Sequence, residues 1–170
     1  DQIPRSDGQG QTTSGVTDPA ASQAAVQAGL GTLRDFMQEV IATRTQQGYY
    51  VRNPDLLSKM WNNVAAFTGQ EGPRIGGQCE EFADWGSQWL TRGDVEAMFG
   101  PDVIYDTITI QNARLGGYAG SFVNHIANRV ILPDGQRYVV DFWEGMSQGQ
   151  AGPAVVPEAA WVARWTERCT

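Results

Sequence analysis

The spacing of apolar residues changes partway along the chain, and this change separates a helical half from a strand half. Over residues 22–47 apolar side chains recur every three or four positions, which predicts an amphipathic helix. The same spacing predicts helices over 55–67 and 79–91, with Gly93 ending the latter, and a helical turn over 94–99. Helices are therefore expected to account for most of residues 22–99.

Beyond residue 100 the apolar period becomes two, which is typical of half-buried strands. Strands are predicted over 103–111, 122–132 and 137–143, and the last two are joined by the hairpin signal Pro133-Asp134-Gly135. A closing helix is predicted over 157–169, with Trp161, Val162 and Trp165 facing inward. Helices followed by hairpin-linked strands predict an α+β fold, in which N-terminal helices pack on an antiparallel sheet.

Residues 1–20 are rich in Gly, Ser, Thr, Gln and Asp, and carry almost no large apolar side chain. Such a segment cannot bury enough apolar surface to fold alone, so we expect a flexible linker or tail, or an arm that docks on the domain. Residues 21–170 are then expected to form a single domain. Because the chain begins at Asp1, we expect it to be a processed or excised piece of a longer protein.

The composition of the chain limits the classes of function that it can have. The chain has 170 residues, 41% of them hydrophobic, a net charge of -7 and a pI near 4.6, which disfavours electrostatic binding to nucleic acid or to anionic membranes. No apolar run is long enough for a membrane span. With one histidine, no C-x-x-C spacing and no calcium-loop spacing, the sequence predicts neither a metal site nor a cofactor.

Cys79 stands where a glycine-rich approach, Gly76-Gly77-Gln78, meets a predicted helix. A thiol at a helix N-terminus faces unbonded backbone N–H groups and the positive end of the helix dipole, and both favour the thiolate. The same N–H groups can stabilise an oxyanion on a substrate carbonyl. The alternative interpretation is a small buried hydrophobic residue, as most lone cysteines are.

His125 and Asp141 are brought together by the predicted hairpin. If Gly135 is the left-handed residue of a turn that pairs Leu132 with Gln136, His125 faces Trp143 and Asp141 faces Ala127. The histidine and the aspartate then lie diagonally on one face of the sheet, roughly 7 Å apart at Cβ.

The neighbours of Asp141 are apolar, so its carboxylate is expected to be partly buried and to need a partner, which the one histidine of the chain can supply. We therefore predict Cys79 as nucleophile, His125 as base and Asp141 as the residue that orients the histidine. Trp143 is a candidate wall of the acyl-binding groove. Gln78 is a candidate oxyanion donor or a structural loop residue, and other oxyanion candidates are Gln111, Asn112 and Asn124.

The segment HIANRVILPDGQRYVVD (125–141) resembles the histidine–hairpin–aspartate pattern of the transglutaminase-like branch of the papain-like cysteine enzymes, and QCEEFA (78–83) resembles the cysteine segment of that family. Two positions depart from the family pattern: Ala127 replaces an aromatic residue, and Phe142 replaces a frequent proline. The resemblance implies a papain-like fold and acyl transfer through a thioester, by deamidation of glutamine, peptide hydrolysis or transfer of a glutaminyl group to an amine.

The small, weakly charged domain also resembles the glutamine deamidase domains of bacterial toxins and effectors. This resemblance implies a protein substrate carrying glutamine side chains, and a chain that is secreted or delivered into a target cell as part of a longer toxin or effector. A cysteine protease or a transglutaminase of the same fold is the first alternative. The second is a non-catalytic secreted binding module held by a Cys79–Cys169 disulfide.

Overall fold

The computed structural model describes residues 19–51, 75–111 and 124–168. Over these residues the fold is mixed α+β, with helices packed on an antiparallel sheet, as the sequence predicts. The predicted tail and the predicted helix over 55–67 lie outside the described residues, except for the last two positions of the tail. No described helix has both the length and the apolar character that crossing a membrane would require.

Helix α1 (Pro19–Gln46) packs along one side of the hydrophobic core. Its buried side chains Leu30, Leu33, Met37 and Ile41 follow the helical spacing of the sequence, and the predicted helix is confirmed. Gly29 allows a close helix contact, because a Cβ at this position would lie 2.6 Å from the ring of Phe99.

Helices α2 (Cys79–Trp89) and α3 (Arg92–Phe99) follow one another closely. The predicted end of the first helix is wrong, because Gly93 lies inside α3 rather than after α2. Thr91 causes the break: it is the N-cap of α3, and its side chain accepts a hydrogen bond from the backbone N–H of Asp94 at 3.2 Å.

Over the described residues, the main sheet has four antiparallel strands that neighbour one another in chain order. Their bounds are β3 Ile104–Gln111, β4 Asn124–Ile131, β5 Arg137–Val140 and β6 Val155–Pro157. The sequence predicts the first three and misses β6, which follows a 3-10 turn at Gly152–Ala154. It also misses a short parallel pair, β1 (Tyr49–Val51) with β2 (Ile75–Gly77).

The β4–β5 hairpin has the predicted register. Leu132 N–H donates to Gln136 O at 2.8 Å, Gly135 has a φ of +86°, and Asn128 pairs with Val140. One face of the hairpin packs into the core formed with α1 and α2, and the other carries Ala127 and Val139 against Trp161.

The predicted strand over 137–143 is too long, because the chain leaves the sheet after Val140 and forms helix α4 (Phe142–Gln148). Asp141 is the N-cap of this helix and Glu144 follows three residues later, a helix-start signal that the apolar run around it hides. Trp143 is consequently a helical residue and not the strand partner of His125.

Helix α5 (Glu158–Arg168) confirms the predicted closing helix. Its inward tryptophans, Trp161 and Trp165, are 0% and 8% exposed. They cover the sheet face opposite to α1 and α2, and this placement brings α5 to the candidate site.

Candidate active site

Cys79 is the first residue of α2 and is half-buried. Its predicted disulfide partner, Cys169, lies outside the described residues. The preceding Gly77 is buried, and a Cβ there would lie 2.6 Å from the ring of Trp85, so the approach to the thiol needs this glycine. The predicted position of the thiol at a helix N-terminus is confirmed.

The acidic residues near Cys79 face solvent. Glu80, Glu81 and Asp84 are all exposed. The carboxylate of Glu81 accepts a hydrogen bond from the backbone N–H of Gln78 at 2.8 Å, an N-cap arrangement that stabilises the start of α2. Their charges are therefore hydrated, which weakens their repulsion of a thiolate.

His125 and Asp141 form a buried pair, as the hairpin register predicts. The imidazole Nε2 and the carboxylate Oδ2 are 2.6 Å apart, and the two residues are 4% and 0% exposed. Because Nε2 is engaged by the carboxylate, Nδ1 is the ring nitrogen that remains for the thiol.

Asp141 is held in place by groups from four elements. Its Oδ2 accepts hydrogen bonds from His125 and from the indole N–H of Trp161 at 2.8 Å, and its Oδ1 accepts one from the backbone N–H of Glu144 at 2.9 Å. Its own backbone N–H donates to Ala154 O at 2.8 Å. The carboxylate therefore serves both as the helix N-cap and as the partner of the histidine, and its orientation is fixed.

Cys79 and His125 interact directly. Burial alone lowers the pKa of His125, but hydrogen bonding to Asp141 and to Cys79, together with the negative charges of both, raises that pKa to about 9. The imidazole is then protonated near neutral pH, and its positive charge lies beside the sulphur.

Three tryptophans surround the imidazole. The ring of Trp165 stacks on His125 with centroids 3.7 Å apart, while Trp143 and Trp161 each lie 5.4 Å away. These rings exclude water from the His125–Asp141 hydrogen bond and offer π faces to an imidazolium. Trp143 contacts the histidine as predicted, but from helix α4 instead of from a paired strand position.

Asn128 fixes helix α2 against the strand that carries the histidine. Its Nδ2 donates to Ala83 O at 3.1 Å and to Ser87 Oγ at 2.8 Å. Gly86 makes room for this amide and for the ring of Phe142. The distance between Cys79 and His125 is thus set by packing between α2 and β4.

The three predicted triad residues are brought together, whereas the predicted oxyanion donors stay predictions. Gln78 is the exposed N-cap of α2, and the side chains of Gln111, Asn112 and Asn124 lie outside the described residues. Sequence reasoning assigned Trp161 and Trp165 to packing alone and missed their contacts with the triad. It also missed the pair Glu144–Arg164, because the spacing Asp141-x-x-Glu144 indicates the start of α4 and not this pair.

Among the described residues, no group of three or more His, Cys, Asp or Glu side chains is arranged to hold a metal ion. The donors at this site are one thiol, one imidazole and one carboxylate, and the carboxylate already accepts hydrogen bonds from three N–H groups. The arrangement fits nucleophilic catalysis by the thiol.

No family model, curated protein or solved structure matches this chain.

Proposed function

We propose that this protein is a cysteine-dependent amide hydrolase or acyl transferase that works through a thioester. The observation that supports the proposal is the assembly of Cys79, His125 and Asp141, in which a helix-terminal thiol interacts with an imidazole that a buried carboxylate orients. The favoured reaction is deamidation of a glutamine side chain in a protein substrate.

The chemistry follows from the positions of the groups. The Cys79 thiolate attacks the amide carbon, and the resulting oxyanion is stabilised by N–H groups at the start of α2. The protonated His125 gives its proton to the departing nitrogen, which leaves as ammonia from a glutamine side chain. A water molecule, deprotonated by His125, then attacks the thioester and releases the carboxylate product and the thiol.

Deamidation is favoured over peptide hydrolysis and over transfer to an amine by the resemblance to toxin and effector deamidases, and the triad itself is compatible with all three. The same resemblance supports a chain that is secreted or delivered into a target cell as part of a longer toxin or effector. A protein substrate carrying accessible glutamines is the partner that this reaction requires.

The test is ammonia release from an unfolded, glutamine-rich protein such as β-casein, followed by peptide mass spectrometry in the presence and absence of a primary amine. A mass gain of about 1 Da at glutamine that Cys79→Ala and His125→Ala both abolish supports deamidation. New peptide termini identify a protease, and amine adducts identify a transglutaminase. The proposal is contradicted if the substrate loses neither glutamine side chains nor peptide bonds in any of these reactions, while circular dichroism shows that the variants are folded.

A further inference from the structure

Glu144 and Arg164 form an ion pair beside the candidate triad, and the chemistry described above does not use it. Arg164 Nη2 and Glu144 Oε2 are 2.6 Å apart, and the glutamate side chain is only 1% exposed. A buried carboxylate requires a charged or hydrogen-bonding partner, so the geometry of Arg164 is tied to that of Glu144.

The glutamate stands in the third position after the N-cap of α4. At that position a glutamate usually reaches back to the backbone N–H of the N-cap residue. Here that N–H, on Asp141, donates to Ala154 O at 2.8 Å, and the glutamate side chain extends to α5. Its backbone N–H remains on Asp141 Oδ1. Glu144 therefore contacts the Asp141 carboxylate through its backbone N–H and helix α5 through its side chain.

On α5, Arg164 lies one turn after Trp161 and immediately before Trp165. Trp161 donates to Asp141, and Trp165 stacks on His125. All three side chains reach the site from one helix, so a displacement of this helix moves the indole donor and the stacked ring together.

We propose that Glu144 and Arg164 are positioning residues that anchor α5 over the triad, so that Trp161 and Trp165 hold Asp141 and His125 in reactive geometry. This role rests on the proposed function, since it concerns the same site. In this role the pair acts through the two tryptophans.

The test compares Glu144→Gln, the double variant Glu144→Gln/Arg164→Met and the control Arg137→Met. Arg137 also pairs with a glutamate of α5, Glu158 at 3.6 Å, but the Arg137 side chain is 54% exposed, so that this pair is largely solvated. The double variant removes both charges together, which avoids an unpaired buried charge and keeps the fold testable.

Two readouts are measured on each protein: the NMR resonances of the Trp161 indole N–H and the His125 ring, and kcat and KM for the glutamine substrate. Both pair variants should shift these resonances and lower kcat by about tenfold to a hundredfold, with KM within about twofold of wild type. Arg137→Met should match wild type in both readouts.

Wild-type resonances and wild-type kcat in the folded double variant would overturn the anchoring role. If the wild-type protein has no amidase activity, the proposed function fails, and the resonances alone decide whether the pair positions the two tryptophans. Shifted resonances then support the anchoring role, and unchanged resonances contradict it.

Discussion

Asp141 performs two tasks that proteins usually give to separate residues. As a helix N-cap it satisfies the backbone N–H of Glu144, and as a buried carboxylate it accepts a hydrogen bond from His125. Replacing it therefore changes both the start of α4 and the protonation of the imidazole. The conservative change to asparagine separates these tasks, because an amide oxygen still caps a helix but carries no charge.

We expect Asp141→Asn to lower the rate of Cys79 alkylation by iodoacetamide at pH 7 by about tenfold or more, because the imidazolium loses the carboxylate that stabilises it. The rate is measured by peptide mass spectrometry, which separates Cys79 from Cys169. The control is Asp84→Asn, an exposed acid of α2 whose loss should leave the rate within about twofold. Equal rates in Asp141→Asn and wild type would show that the carboxylate does not stabilise the protonated form of the histidine.

At the scale of elements, the hairpin and its register could be predicted because both depend on local sequence. The turn residues fix the pairing of Leu132 with Gln136, and the pairing fixes which strand positions share a face. The positions of His125 and Asp141 follow from that register, and so does most of the candidate site.

Other elements could not be predicted from the sequence because tertiary contacts determine their structure or position. The run around Asp141 is apolar enough to suggest a strand throughout, and only the capping geometry shows that α4 begins there. The parallel pairing of β1 with β2 joins distant segments that carry no mutual signal. Trp161 and Trp165 have the spacing of an ordinary packed helix face, and their contact with His125 depends on where α5 docks.

Replacement by alanine is expected to have opposite effects at Gly86, where α2 packs on β4, and at Gly93 in α3. In Gly86→Ala the new methyl would press on Asn128 Oδ1 and lie 2.5 Å from the ring of Phe142, so we expect a loss of about 2 kcal/mol or more in the free energy of unfolding. In Gly93→Ala the nearest atom is 3.7 Å away, and we expect a gain of up to about 1 kcal/mol from helix propensity. Urea unfolding monitored by circular dichroism measures both, and equal stabilities would refute the close contact at Gly86.

At the scale of the molecule, the site is assembled from both sides of one sheet. Helix α2 brings Cys79 from the side of the main core, while α5 brings its tryptophans from the other side, and they meet at the end of the β4–β5 hairpin. The interacting groups are far apart in sequence, so the site exists only in the folded protein. Its protonation is consequently linked to folding.

The pKa of His125 predicts how stability depends on pH. Its pKa is about 9 in the folded protein against an ordinary value of 6.5, so the folded state binds the proton more tightly. The resulting stabilisation, on the order of 3 kcal/mol, is fully present below about pH 6.5 and is lost as the pH rises through about 9. Because the chain has one histidine, His125→Gln should remove most of this dependence in urea unfolding measured across that range. An unchanged slope would contradict the raised pKa.

The order of the elements along the chain has a consequence for biosynthesis. Helix α5 is the last described element, and it carries the rings that enclose His125 and the indole donor to Asp141. When α2 and the β4–β5 hairpin have emerged from the ribosome, the nascent chain already contains the thiol, the imidazole and the carboxylate. Until α5 follows, the rings that enclose His125 are missing and the histidine is open to water. His125 is therefore enclosed only after translation has passed α5, and a chain on a ribosome stalled before that helix has an incomplete candidate site.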